Sequence, residues 1–179
     1  MIDYFIANDP DVRNSAYAVI DPQGDLVHAW VVKASSIEDS ALKHSQHVPE
    51  LPVGNYMCAV ESQQFYGNTP RDRVKSLLQL SRACGISMAY LAQHTNTTPQ
   101  LVLPRHWTKG REKSVNQYWI ISDMGMTPVR HKGKSPYCHA KELEPKFKAT
   151  EQKHIIDSLG IAQYIRLNHQ RELKLEKYR

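Results

Sequence analysis

The sequence predicts an α/β fold whose sheet begins antiparallel and continues parallel. Two runs of β-formers, residues 4–7 and 16–20, flank a polar turn holding Pro10, Asp11 and Asn14, and a Val-rich run at 26–33 follows a Pro/Gly turn. Together they make a three-stranded antiparallel meander. A fourth run, Tyr56-Met57-Cys58-Ala59-Val60, is apolar on both faces, as suits a central strand covered on both sides. It follows a helical stretch, so a parallel crossover is the expected connection. Apolar or small residues at Val74, Leu77, Leu78, Ser81, Gly85, Met88 and Ala92 then fall at helical spacing and predict one long helix over about 70–93.

Each element has a local reason. The first strand delivers Asp9 at its exit, where Asp is a turn-former or a ligand rather than strand material. Ser35 and Glu38 stand at capping-box spacing and open a helix that fades by His47, before Pro49 and Pro52. The strand after Gly54 ends, like the first, in a carboxylate, Glu61. Thr69-Pro70 is a good cap and first-turn pair for the long helix, and Gly85 within it permits close packing or a break. Leu101-Val102-Leu103 is a further short strand, and Pro104–Lys113 follows as a basic segment around Trp107. A short helix is expected over 111–122, and an irregular basic insertion with at most short strands or turns over about 123–150. The last helix begins at Thr150 and carries His154 and Asp157, at i and i+3, on one edge. Residues 1–168 read as one domain, with 169–179 a charged tail, frayed or projecting.

Bulk composition narrows the function classes. A chain of 179 residues with 41% hydrophobic content fits one domain with a sizeable core. No apolar run approaches the roughly 18 residues that span a membrane, and the first residues show no basic secretory leader. Cys58, Cys84 and Cys138, without a CxxC pair, point to a reducing compartment, and Cys58 and Cys84 to buried small hydrophobes. The expected location is cytoplasmic, or the host cytoplasm for a viral protein. The net charge of +5 hides an asymmetry: residues 1–68 hold 3 Lys/Arg against 9 Asp/Glu, and residues 69–179 hold 20 against 9. That split suggests an acidic, metal-suited site beside a surface suited to polyanions. Asp9, Glu61 and the His154/Asp157 pair supply the oxygen-rich donors that hard divalent cations take. His131, Cys138 and His139 do not make a zinc site, for which a fourth ligand and recognisable spacing are missing.

These motifs resemble, in order and spacing, those of RuvC-type Holliday junction resolvases. Phe5-Ile6-Ala7-Asn8-Asp9-Pro10 with Ser15-Ala16-Tyr17-Ala18-Val19-Ile20-Asp21 is similar to the family's first motif, and Val60-Glu61-Ser62 to its second. His154-Ile155-Ile156-Asp157-Ser158-Leu159-Gly160-Ile161-Ala162 is similar to its last, and Pro104-x-x-Trp107-x-Lys109-Gly110 with Lys113 to its intervening basic segment. The chain departs from the family at Ala7, Asp11 and Ser15, where Gly is usual; Asp11 reads as a turn residue.

The resemblance implies an RNase H-like fold, a mixed five-stranded β-sheet flanked by α-helices. It implies a metal-dependent endodeoxyribonuclease that resolves four-way junctions as a homodimer, with Asp9, Glu61, His154 and Asp157 binding two Mg²⁺ ions, Mn²⁺ being a substitute that an imidazole ligand favours. Lys109, Lys113, Arg105 and Arg111 are the expected phosphate contacts, Phe65 and Tyr66 candidate base-stacking residues, and Trp107 a packing residue. A face of the 70–93 helix is the expected dimer interface. A broader fork or flap nuclease of the same fold, and a catalytically inactive protein that binds branched DNA, are the competing readings.

Overall fold

The computed structural model describes residues 1–62, 71–130 and 138–177. Phe65 and Tyr66, and the Thr69-Pro70 cap, lie outside the described residues. Strands β1 (Tyr4–Asp9), β2 (Asn14–Ile20), β3 (Leu26–Lys33), β4 (Tyr56–Glu61) and β5 (Gln100–Val102) form one sheet in the order β3-β2-β1-β4-β5. The β1–β2 and β2–β3 pairs are antiparallel, and β4 joins both β1 and β5 in parallel. This is the mixed five-stranded sheet expected from the sequence, with the crossover from β3 to β4 made through α1 (Ile37–Gln46).

Alternation along the strands divides the core into two layers. Phe5, Ala7, Ala16, Ala18 and Ala59 face one side, where Ile155, Ile156, Leu159 and Ala162 of α5 (Ala149–Glu176) pack on them. Ile6, Tyr17, Val19, Cys58 and Val60 face the other, covered by Cys84, Tyr90 and Leu91 of α2 (Arg71–Thr95). Alanines on the α5 side make a shallow floor, so the helix rests close to the sheet. On the opposite side the Tyr17 hydroxyl lies 2.7 Å from His44 Nε2 and donates to Ser87 Oγ at 3.1 Å, tying α1 and α2 to β2. Cys58 and Cys84 are buried, as a small-hydrophobe reading requires.

Several local expectations shift. The N-cap of α1 is Ser36, whose extended backbone lets Oγ accept from Asp39 N at 3.2 Å; the Asp39 carboxylate reaches back to Ser35 N at 2.7 Å. The cap is therefore one residue later than Ser35/Glu38. Gly85 neither breaks α2 nor takes a close neighbour; nothing among the described residues lies within 4 Å of where its Cβ would stand. The basic segment after β5 is helical, α3 (Pro104–Thr108), with Pro at its first position and Lys109 ending it in the left-handed region at φ 54°. Helix α4 (Lys113–Asp123) follows. The insertion contains an antiparallel pair, β6 (Pro128–Arg130) and β7 (Cys138–Ala140), then a 3₁₀ turn that buries Leu143 in the α5-side core. The last helix does not stop at residue 168 but runs through the charged segment to Glu176. Its start is held by Glu151, which accepts from Lys148 N at 3.0 Å and pairs with Lys33 at 2.5 Å. No helix among the described residues is long and apolar enough to cross a membrane.

Two glycines test this packing in opposite directions. A Cβ on Gly160 would stand 2.6 Å from Ile120 Cδ1 and 2.8 Å from the Trp107 ring. Gly160→Val is expected to destabilise the protein by about 1–3 kcal/mol through overpacking, read as a lower urea midpoint. Gly85→Ala has open space and a helical backbone, and is expected to stabilise by about 0.5–1 kcal/mol in the same measurement.

Candidate active site

Parity and register bring the two strand-end carboxylates together. Ala7 pairs with Ala59 and Asn8 with Val60 across the parallel β1–β4 ladder, so Asp9 and Glu61 leave the sheet at one level. Asp9 shares the parity of Phe5 and Ala7, and Glu61 that of Ala59; both therefore point to the α5 side. There α5 supplies His154 and Asp157 one turn apart on the edge nearest the strand ends. All four side chains are buried, Asp157 to 1% exposure. The structure thus gathers the four residues that the sequence singles out from β1, β4 and α5.

His154 Nδ1 lies 2.6 Å from Asp9 Oδ2. With the carboxylate accepting, Nδ1 carries the proton, and in the neutral ring Nε2 holds the lone pair. Ser158 pins the same junction: Asp9 N donates to its Oγ at 3.0 Å, and that oxygen lies 2.9 Å from the carbonyl oxygens of Ala16 and His154. Asp157 accepts from Gln117 Nε2 at 2.9 Å and forms an ion pair with Lys113 Nζ at 2.5 Å. Trp107 Nε1 donates to Glu61 Oε1 at 3.0 Å. Asn8, buried beside Asp9, donates to Ala16 O at 2.8 Å.

Crowding decides the charge states. Burial, reinforced by the Asp9 and Asp157 charges, pushes the Glu61 carboxyl up to about 9, with its proton shared toward Asp9 in a hydrogen bond. Burial and the Asp9 charge raise Asp157 to about 6, against the pull of Lys113 and Gln117. Burial would raise Asp9 too, but the His154 hydrogen bond and charge, with Lys113, hold it below the ordinary carboxylate value. Burial alone would lower Lys113; Asp157, Asp9 and Glu61 raise it instead. The half-exposed Lys113 ammonium is thus the cation that this cluster has drawn in.

The donor set suits a hard divalent cation. Three carboxylates and an imidazole converge, and burial, with the repulsion of Asp9 and Asp157 added, is severe enough to hold a proton on Glu61 in the neutral range. Among the described residues no three Asp, Glu, His or Cys side chains are already arranged as a metal cage. Lys113 and the Glu61 proton offset the negative charge of the cluster.

The basic candidates divide. Lys113 reaches the cluster from the start of α4. Arg105 and Lys109 are exposed on α3 and at its end, and Arg111 lies over the Trp119 ring at 5.7 Å. Trp107 is buried as a packing residue should be, but it also holds Glu61, a role its sequence position did not reveal. Gln117 was missed as well, although it stands four residues after Lys113 and so on the same face of α4. Asp11 is a turn residue: Oδ1 accepts from Arg13 N at 2.7 Å and Asn14 N at 3.1 Å. Of the zinc trio, His131 and the Cys138 side chain lie outside the described residues, and His139 is buried in β7.

No family model matches the sequence, and no curated protein matches it significantly. Solved structures do. A structure of T. thermophilus RuvC in complex with a Holliday junction substrate superposes with a TM-score of 0.57 at 16% identity, covering 90% of this chain and 91% of that one. A second Thermus thermophilus RuvC structure gives a TM-score of 0.55 at 17% identity, covering 90% and 92%. The chain has the RNase H-like fold that these structures share.

The raised carboxyls make stability depend on pH. Glu61 and Asp157 titrate above their ordinary 4.5 and 3.8, so in metal-free buffer they favour the folded state fully below about pH 4. That contribution is lost as pH climbs through about 6 for Asp157 and about 9 for Glu61. Glu61→Gln is expected to melt higher than the parent at pH 8 in EDTA, and to remove a slope of up to about 1.4 kcal/mol per pH unit. Parallel melting curves for the two proteins from pH 5 to 9 would contradict the assignment.

Proposed function

We propose that this RNase H-like chain is a divalent-metal-dependent endonuclease that resolves four-way DNA junctions. The observation that supports it most is the convergence of Asp9, Glu61, His154 and Asp157 at the carboxyl ends of two parallel strands, crowded enough to demand added positive charge. The likeness to a RuvC structure that holds a Holliday junction substrate supports the choice of branched DNA. The basic surplus of residues 69–179 supports a polyanionic partner.

In this reading Asp9, Glu61 and Asp157 contribute oxygens, and His154 contributes Nε2, to hold two Mg²⁺ ions, with Mn²⁺ as a substitute. When bound, such ions activate water and stabilise the leaving oxygen of a phosphodiester. The chain's own groups do the rest. Asp9 keeps the proton on His154 Nδ1, the way a carboxylate orients a ligating imidazole. Trp107 and Gln117 hold Glu61 and Asp157 in place by one hydrogen bond each. Glu61, as a carboxylate, would be among the residues holding the ions, and the half-exposed Lys113 ammonium, beside Asp157, carries the charge that would match a scissile phosphate. Lys109, Arg105 and Arg111 follow the backbone further out. In this reading the protein acts as a homodimer, one site per strand, and the exposed apolar Val74 and Leu78 on α2 support that helix as the contact. Cleavage is symmetric and leaves ligatable ends.

Incubating a synthetic mobile four-way junction with the protein and Mg²⁺, beside flap and linear duplex controls, tests this. Paired symmetric nicks in the junction are expected, falling at least ~100-fold in Asp157→Asn because a ligand matters no less than the partners that orient it. Equal cutting of flaps would favour a broad branch nuclease. Tight junction binding without cutting in Mg²⁺ or Mn²⁺ would leave an inactive branched-DNA-binding protein.

A further inference from the structure

Beside the carboxylate cluster, with Trp107 between them, α3, the end of α4 and α5 line a cavity of about 470 Å³. Its size falls in the range of small-molecule sites, about 300–1,000 Å³. Its lining combines two chemistries. Tyr164 and His106 form an aromatic wall, their rings tilted by 28° at a 6.2 Å centroid separation, with Trp107 beside them over Gly160. Three fixed positive charges, Lys109, Arg166 and Arg171, meet a single carboxylate, Asp123. Arg166 is already oriented, its Nε donating to Gln163 Oε1 at 2.8 Å and Nη1 to Pro22 O at 3.1 Å.

We infer that this cavity binds a single nucleotide. The planar base stacks on Tyr164, the phosphate pairs with Lys109 and Arg171, and Asp123 accepts from an exocyclic amine, as carboxylates do for cytosine N4. A bare phosphate would leave the aromatic wall uncovered, and a neutral aromatic compound would leave three cations unanswered.

Two features connect the cavity to the carboxylate cluster. Trp107 is a wall of one and, through Nε1, a hydrogen-bond donor to Glu61 in the other. Asp157, Gly160, Tyr164 and Arg171 also follow one flank of α5, and Tyr164 lies about 10 Å along the axis from Asp157 at 1.5 Å per residue. The nucleotide is thus either an unpaired residue of the bound strand or a free mononucleotide. Only the first of these rests on the nuclease reading.

Titrating the full chain by ligand-observed NMR and calorimetry in EDTA separates the cases. The probes are dAMP, dCMP, dTMP, inorganic phosphate, and a single-stranded oligonucleotide carrying 2-aminopurine, whose fluorescence reports stacking. Saturable binding of dAMP and dCMP is expected, weaker for dTMP and weakest for phosphate. Tyr164→Ala should weaken it about fivefold or more, in line with the stacking energy of one base, and Arg171→Glu should weaken it too, while Lys75→Ala, exposed on α2 and outside the cavity, keeps it. Quenching of 2-aminopurine that Tyr164→Ala abolishes assigns the site to the DNA strand; dAMP binding without that quenching assigns it to a free nucleotide. No saturable binding by a folded protein, phosphate binding as strongly as dAMP, or binding indifferent to Tyr164→Ala would each overturn the inference. A protein that binds dAMP through Tyr164 but leaves junctions uncut would overturn the nuclease reading and not this one.

Discussion

Three carboxylates buried within reach of one another are the constraint that the rest of this structure answers. Burying even one ionised carboxylate without compensation costs several kcal/mol, and neighbouring negative charges add to it. The protein meets that cost in three ways. Asp9 is held by His154 Nδ1 in a 2.6 Å hydrogen bond, Lys113 neutralises Asp157 at 2.5 Å, and Glu61 keeps its proton. The first of these depends directly on how close α5 stands to the sheet. The alanine floor of β1, β2 and β4 sets that distance, and Ser158, bonded to Asp9 N, sets the height of the helix along the strands.

The two faces of the sheet are built for different tasks. On the α1/α2 side a Tyr17–His44–Ser87 network lies within stacked rings, Tyr17 and Trp30 being 4.8 Å apart and nearly parallel. Burial pushes the Tyr17 hydroxyl far above its ordinary value, so this network carries no charge of its own. Polar groups there are satisfied locally and rigidify the frame. On the α5 side the strand-end groups are carboxyls crowded against one another, Asp9 ionised and Glu61 protonated. A stiff far face lets the near face carry unfavourable electrostatics without the sheet deforming.

The sequence was informative wherever structure follows from local pattern. Strand alternation, the two carboxylates at strand exits and the i,i+3 pair on the last helix were all readable, and they converge because parallel strands end at one edge. Contacts made by side chains from distant segments were not readable. Lys113 read as a phosphate contact because spacing alone cannot show it turned inward to Asp157. Trp107 read as packing because an indole looks the same in sequence whether or not its N–H has an acceptor. Helix α3 was missed because five residues carry too little periodicity, although Pro104 stands at its first position. The 123–150 segment was expected to hold at most short strands or turns, and its two strands have three residues each, below the length at which alternation would have placed them.

The charge asymmetry along the chain does not become two halves in space. Lys33 of the acidic part pairs with Glu151 of the basic part, while Lys113 of the basic part enters the cluster that Asp9 and Glu61 of the acidic part create. The short α3–α4 segment is where this interleaving matters most. It places Trp107 on Glu61 and, six residues later, Lys113 on Asp157, so one stretch of chain holds both carboxylates that carry raised pKa values. Its packing partner is Gly160, three residues beyond Asp157 on α5, where the absent Cβ lets Trp107 and Ile120 approach. A displacement of this segment would release an indole from one carboxylate and an ammonium from the other together. The position of α3–α4 therefore sets both contacts that these two carboxylates make with this segment.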